Sequence, residues 1–305
     1  MAMKRTFSLK KTVTVFLSAG LFCLGSLQAE EESGYSRWVE SINQTAAELN
    51  EKTLITHDPV KGLIMDHLLV DLGIAMYGFR YWHWGTRSFH MADEGWFGED
   101  TATGGSDKTG HFYMTYLLSR VLSSRMEDRG LPLEQANLYG SLSALLAMTL
   151  LEVGDATSSY GFSKEDLLCD TLGSLSSYLL RSYPKVDDFI DIRMEYRLNS
   201  HYLHHGDHTT DYSNMRHLIA FNLSGFDALK ATPLRFLEIQ AGYYTRGFRK
   251  FDTMPKSRQV FIGIGFSLKE LAKESGIKPL ENLFEFYQPG HTYVDTKLWY
   301  DKEDR

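Results

Sequence analysis

The spacing of apolar positions changes once along this chain. Between about residue 58 and residue 183 they recur every three to four residues, which is the period of helices; beyond Pro184 they alternate, which is the period of strands. Asp58 followed by Pro59 is a helix start, because an aspartate caps free amides and proline fits the first turn. Leu63, Met65, Leu68, Leu69, Leu72 and Met76 then follow at helical spacing. A second helix is expected from Ser106 or Asp107, after Gly104 and Gly105, to about Leu122. Gln135 to Leu151 is an apolar run between Glu134 and Glu152. It sits at the short end of the membrane-spanning range of about 17–25 residues and contains Asn137, Ser141 and Ser143, so it reads as the central, buried helix of a bundle. A fourth helix opens at Ser163, with Asp166 three positions on as a capping-box variant, and runs to about Ser182 before Pro184.

In the second half Ile192, Met194, Tyr196 and Leu198 alternate with Asp191, Arg193, Glu195 and Arg197. Leu237 to Tyr243 and Val260 to Leu268 repeat the pattern, with shorter versions at Ile219 to Leu223 and Val294 to Tyr300. The expectation is an α+β chain: a helical bundle over residues 58–183 followed by an antiparallel β-sheet of five to six strands over 186–300. Strands with tyrosines near their ends also resemble those of outer-membrane barrels. A closed barrel needs at least about eight strands, however, and this chain ends on the charged Asp301 to Arg305 instead of an aromatic residue.

The first 29 residues alter the picture of where the chain works. Lys4, Arg5, Lys10 and Lys11 precede an apolar run from Thr12 to Leu27 and a small residue, Ala29, which is the layout of a secretory signal peptide. Cleavage after Ala29 is expected. Cys23 is preceded by Phe22, where lipoprotein processing needs a small residue, so lipidation is not expected. Removing residues 1–29 takes away four of 32 basic residues and none of 39 acidic ones, leaving 28 − 39 = −11. Such an acidic chain is a poor partner for nucleic acid. The mature chain keeps Cys169 alone and forms no internal disulfide.

The densest polar segment runs from Asp93 to His111. Asp107 and His111 are four apart and Lys108 and His111 three apart, so they share a helix face. Glu152 and Asp155 end the next helix, and Asp166 and Asp170 lie four apart on the one after. Asp107, Lys108, His111, Glu152, Asp166 and Asp170 form the candidate acid/base cluster, since a bundle interior is a normal place to assemble such groups. The bland alternative makes Asp107 and Asp166 caps, Glu152 and Asp155 a solvated helix end, His111 a core histidine and Lys108 a neutralising charge. A second stretch with His201, His204, His205 and His208, near Asp207 and Asp211, reads as an exposed loop able to bind a divalent metal without fixed geometry. The phosphate-loop, dinucleotide, nucleophile-elbow and zinc-protease motifs are all missing, so the common enzyme classes lose support, and the sequence leaves cofactor and metal unknown.

The runs EGWFGEDT (Glu94 to Thr101), GGSDKTGHFYMTYLLSR (Gly104 to Arg120) and YGFSKEDLLCDTLGSLSSYLL (Tyr160 to Leu180), with DYSNMRHLIAFNLSG and RFLEIQAGYYTRGF, resemble the YfiM-like family of predicted periplasmic lipoproteins. The resemblance runs from about Leu63 to the C-terminus and implies location more than chemistry. The helical half is similar, more distantly, to the VanZ-like pattern, here Asp107, Lys108 and His111, then Glu152, then Ser163, Asp166, Asp170 and Gly173. Asp170 stands where that pattern usually has asparagine. Two functions are expected from these readings. One is a non-enzymatic envelope component, associated with the outer membrane, whose sheet or bundle presents an apolar surface to an envelope lipid or protein. The alternative is a hydrolase or transferase acting on an envelope lipid or glycan through the acidic/His cluster.

Overall fold

The computed structural model describes residues 32–197, 207–249 and 252–302; the expected signal peptide, with Cys23 and Ala29, and the loop histidines His201, His204 and His205 lie outside them. Contacts divide the chain into two compact units, at Glu51 and Lys52. Helix α1 (Glu32–Thr53) accounts for the described part of the first unit. It is rich in polar residues and was not announced by the apolar periodicity.

The second unit contains the expected helices: α2 (Pro59–Tyr77), extended by a π-helical turn (Gly78–Trp82), α3 (Ser106–Asp128), α4 (Leu133–Asp155) and α5 (Lys164–Ser182). The Asp58 carboxylate accepts from the Lys61 amide at 2.9 Å and starts α2 as anticipated. Gly105, at a left-handed φ of 86°, precedes α3 without a side-chain cap. After the short α6 (Pro184–Asp187) come the strands β1 (Ile190–Tyr196), β2 (Met215–Asn222), β3 (Leu237–Arg246) and β4 (Ser257–Phe266). Two unforeseen helices, α7 (Leu268–Ser275) and α8 (Lys278–Phe286), precede β5 (Tyr293–Lys302). The alternation was expected to reach Leu268, but Ser267 accepts from the Glu270 amide and turns the chain into α7.

The five strands form one antiparallel meander in chain order. Ile192 pairs with Ile219, Ile219 with Ala241, Ala241 with Ile262 and Ile262 with Thr296, which puts these positions on one face; α3 covers its Ile192 and His217 end, and Ile219, Ile239, Ile262 and Ile264 are exposed. The other face is buried and carries Asp191, Arg193, Glu195, Glu238 and Gln240 beside an apolar cluster of Leu218, Ala220, Tyr244 and Phe261. Arg193 there donates to Glu238 at 2.8 and 2.9 Å, to Gln288 at 2.9 Å and to Asp191. Burying charge is tolerable only when it is paired in this way.

The central helix is α3, not the run expected to be central. It packs against α4 and α5 and reaches the sheet at β1, β2 and β3. Tyr113 and Tyr116 of α3 meet Ile192 of β1 in the apolar seam between the two layers. Helix α4 is half buried. Its Ala136, Gly140, Ala144 and Ala147 face inward, while Leu138, Leu142, Leu146 and Leu150 face out. Small residues let the helices close up: a Cβ added at Gly173 of α5 would lie 2.2 Å from the Phe112 carbonyl oxygen of α3. That approach sets the distance between Asp170 and α3.

Gly173→Val is expected to lower stability by roughly 2–4 kcal/mol, because backbone cannot move aside as a side chain can. At exposed Gly73, where an added Cβ meets nothing within 4 Å, Gly73→Ala is expected to be neutral or to stabilise by about 0.5–1 kcal/mol. Thermal unfolding of both variants followed by circular dichroism checks the pair; equal effects would show that the α3–α5 contact is not tight.

Candidate functional site

Three helices and one loop deliver the site. The first two turns of α3 carry Asp107, Lys108 and His111 on one face, the last turn of α4 carries Glu152 and Asp155, and the first two turns of α5 carry Asp166 and Asp170. The loop before α3 adds Glu94. It is held in place where Phe97 packs edge-on to Tyr243 of β3 and the Tyr243 hydroxyl donates to the Gly104 carbonyl.

Lys108 is at the centre, with 2% of its side chain exposed. Its ammonium lies 2.9 Å from one Asp166 oxygen and 3.0 Å from the other, 3.4 Å from Asp107, and within hydrogen-bond distance of Glu94. One turn on, His111 Nδ1 lies 3.2 Å from Asp170 and 3.7 Å from Glu152, while Nε2 lies 3.9 Å from Asp107. Asp170 is fully buried and is held by the Thr115 hydroxyl at 2.6 Å. The Tyr212 hydroxyl, arriving from the segment before β2, donates to Asp107. Trp84 Nε1 donates to Asp155 at 2.6 Å.

All six sequence-expected residues therefore converge, and the bland expectations for three of them, and for Asp155, are corrected. Asp107 does not cap α3; Gly105 occupies that position, and Asp107 faces Tyr212 and His111. Glu152 and Asp155 are not a solvated helix end: Glu152 is 1% exposed and accepts from the Ser163 amide at 2.9 Å. His111 is not enclosed in a core, since it lines a cavity. The Ser163 hydroxyl does accept from the Asp166 amide at 3.2 Å, as the capping box required, but the reciprocal acceptor is Glu152. This leaves the Asp166 carboxylate free to meet Lys108. In the other expected stretch, His208 contacts the Tyr196 hydroxyl at 3.2 Å and lines the same cavity, and Asp207 accepts from Tyr77. Glu94, Thr115, Trp84 and Tyr212 were not singled out from the sequence. Helical spacing could have found Thr115, four residues after His111, but Tyr212 is 105 residues from its partner.

The cluster occupies one end of a cavity of about 670 Å³ whose remaining wall is largely apolar, including Val70, Ile74, Met114, Leu118 and Val121. Six carboxylates (Glu94, Asp107, Glu152, Asp155, Asp166 and Asp170) face two basic side chains, Lys108 and His111. Desolvation, and after it the Asp107 and Asp166 charges, push the Glu94 carboxyl up to about 7, with Lys108 opposing. Burial, then Asp107, pushes the Tyr212 hydroxyl well above its ordinary value, so it stays protonated as a donor. Two trios, His111 with Asp107 and Asp166 and His111 with Glu152 and Asp170, each bring one ligand-capable atom per residue within 4.8 Å of the others.

This geometry defines a class of protein: a helical bundle that buries an acid/base cluster beneath an apolar cavity. Residues 93–182 match the model of a family described as a predicted periplasmic lipoprotein (DUF2279). The matched segment contains Glu94 and all six candidate residues, and it supports an exported, periplasmic location. No curated protein matches the chain, and no solved structure matches it.

Lys108→Met is expected to cost about 3–5 kcal/mol, because it leaves Glu94, Asp107 and Asp166 facing one another without a cation; denaturant unfolding measures it, and a cost below about 1 kcal/mol would mean the carboxylates do not depend on Lys108. The raised Glu94 value has a sign. Between its ordinary 4.5 and about 7 the folded state holds more protons than the unfolded one, so this residue's contribution to stability falls as pH rises through that window. Glu94→Gln is expected to flatten stability against pH there, and an unchanged slope would remove Glu94 as its source.

Proposed function

We propose that this chain is an envelope enzyme, a hydrolase or transferase acting on an amphiphilic lipid or lipid-linked glycan of the outer membrane. The observation that carries this reading is the meeting of the Lys108/His111/carboxylate cluster with a largely apolar cavity of about 670 Å³. A purely structural ion cluster has no need of an opening onto such a wall, whereas an amphiphile needs both parts: its chain lies on the apolar side and its polar group reaches the acids and the histidine. The family match and the VanZ-like order of Asp107, Lys108, His111, Glu152, Asp166 and Asp170 support an envelope setting.

His111 is the acid/base in this mechanism. Asp170, held by Thr115, faces Nδ1; burial lowers the imidazole, but the Asp170, Asp166 and Asp107 charges raise it well above its ordinary value, so Nε2 carries a proton that it gives to the leaving group and regains from the attacking water or substrate hydroxyl. Asp170 is thus a positioning residue. Tyr212 donates to Asp107 and holds that carboxylate beside Nε2. Lys108 keeps Glu94, Asp107 and Asp166 gathered around its buried ammonium.

The two trios around His111 favour a second reading, in which the same residues hold a divalent metal ion that activates water. Chelation separates the two. Under acid/base catalysis turnover survives a chelator; under metal catalysis it is lost and returns with added metal.

Purified protein incubated with a total envelope lipid and glycolipid extract, read by mass spectrometry, is expected to convert at least one species. His111→Gln and Asp170→Asn are expected to lower that conversion by about 10²-fold or more while circular dichroism stays unchanged. Conversion that is equal in His111→Gln would overturn the assignment, and its absence in native protein across the extract would return the chain to a non-enzymatic envelope role.

A further inference from the structure

Three helices and one face of the sheet in the second unit turn apolar side chains outward, and this does not depend on the site being catalytic. Helix α2 exposes Val60, Ile64, Leu68, Leu72 and Met76. Its inward-facing Asp66 is buried against Arg125 at 2.8 Å and Arg129 at 2.7 Å. On α4 the exposed row is Leu138, Leu142, Leu146 and Leu150, while Asn137, Ser141 and Ser143 are buried. Helix α5 repeats this, with Leu168, Leu172, Leu175 and Leu179 outside and Asp166, Asp170, Ser174 and Ser177 inside. The sheet does so in part, with a different period: Ile219, Ile239, Ile262 and Ile264 are exposed, while Arg193, Glu238 and Gln240 are buried on the opposite face beside Leu218, Ala220, Tyr244 and Phe261.

In water both halves of this arrangement are unfavourable, because leucines stay hydrated and polar groups are dehydrated. In hydrocarbon both signs reverse. Apolar side chains face lipid, small residues let helices approach, and polar groups find partners inside. We propose that these outward faces of α2, α4, α5 and the sheet are immersed in the hydrocarbon of a lipid bilayer, so that the folded body itself holds the chain in a membrane.

Lengths agree with this occupant. Among the described residues two helices are long and apolar enough to cross a membrane, residues 59–82 and 133–155, and only 17% of the most apolar window of the first is buried. At 1.5 Å per residue they reach about 35 Å, against a hydrocarbon core of about 30 Å. Strands β3 and β4 have 10 residues each, the length of a membrane strand of about 9–11 residues. An open strand edge is not tolerated in lipid, and β1 and β5 are the two edges of the sheet. The immersed part of the sheet is therefore the exposed face of β2, β3 and β4.

The test uses the mature chain with Cys169→Ser, spin-labelled singly at Leu142→Cys, Leu172→Cys or Ile264→Cys, with the exposed Asp227→Cys as the aqueous control. Each is reconstituted into phosphatidylethanolamine/phosphatidylglycerol vesicles. Labels at the three apolar positions are expected to collide with oxygen and to be shielded from a nickel chelate by about tenfold relative to position 227. Nickel access equal to that of the control overturns the proposal. Immobile labels shielded from both quenchers overturn it as well, in favour of a face covered by a second copy or another protein. If Cys169→Ser does not fold, the unmodified chain serves: detergent-dependent extraction with vesicle flotation in high salt supports the proposal, and a detergent-free monomer that does not float refutes it.

Discussion

The ammonium of Lys108 is the constraint on which the rest of the arrangement hangs. A cation taken out of water is stable only among carboxylates, and the ones that surround Lys108 come from three places in the chain: Glu94 before α3, Asp107 beside it on α3, and Asp166 on α5. Each must be delivered by its own backbone. Glu152 takes over the reciprocal role in the Ser163 cap and so frees Asp166. Gly173 lets α5 approach the α3 backbone closely enough for Asp170 to meet His111 one turn away. Local capping chemistry and helix packing thus serve the same polar cluster.

That cluster has a cost which the surroundings explain. Its carboxylates outnumber its basic groups, and the excess is held in a partly dehydrated space where charge repulsion is strong. Glu94 shows the effect by holding its proton to about 7. Groups balanced in this way respond to the arrival of a ligand, a proton or a cation, because each changes the charge among neighbours that cannot be screened by water. A structural ion network that only joins helices, like Asp66 with Arg125 and Arg129 on the far side of the bundle, has fewer acids than bases and does not face the cavity. The comparison separates the two kinds of buried charge in this molecule.

The outward apolar faces of the unit and the position of the cluster form one picture. If lipid surrounds the leucine rows, the bundle interior is the place where charge can be kept, and the cavity joins that interior to walls as apolar as the exterior. An amphiphile could then keep its chains among apolar groups while its polar part reached His111.

Much of this was legible beforehand, and the limits have physical causes. Period alone located α2 through α5 and the five strands, because 3.6 and 2 are properties of local backbone geometry. Spacing placed Asp107 with His111 and Asp166 with Asp170 for the same reason. Period does not say which face meets water. The alternation in β1 reads identically whichever face is covered, and only the packed structure showed both buried, Ile192 against Tyr113 and Tyr116 and Arg193 paired with Glu238. Sequence likewise left α4 as the expected centre, since its run is the most apolar, whereas the tertiary contacts give that place to α3 with its polar turns. Helices α7 and α8 went unforeseen because the alternation of β4 ran up to Leu268 without a break in pattern. Glu94 and Tyr212 join the site through a loop and a chain reversal that no local spacing encodes. What the sequence by itself determined was the type and order of elements and the chemistry available on each helix face. What the tertiary structure decided was which of those faces meet, because burial and charge pairing depend on neighbours distant along the chain.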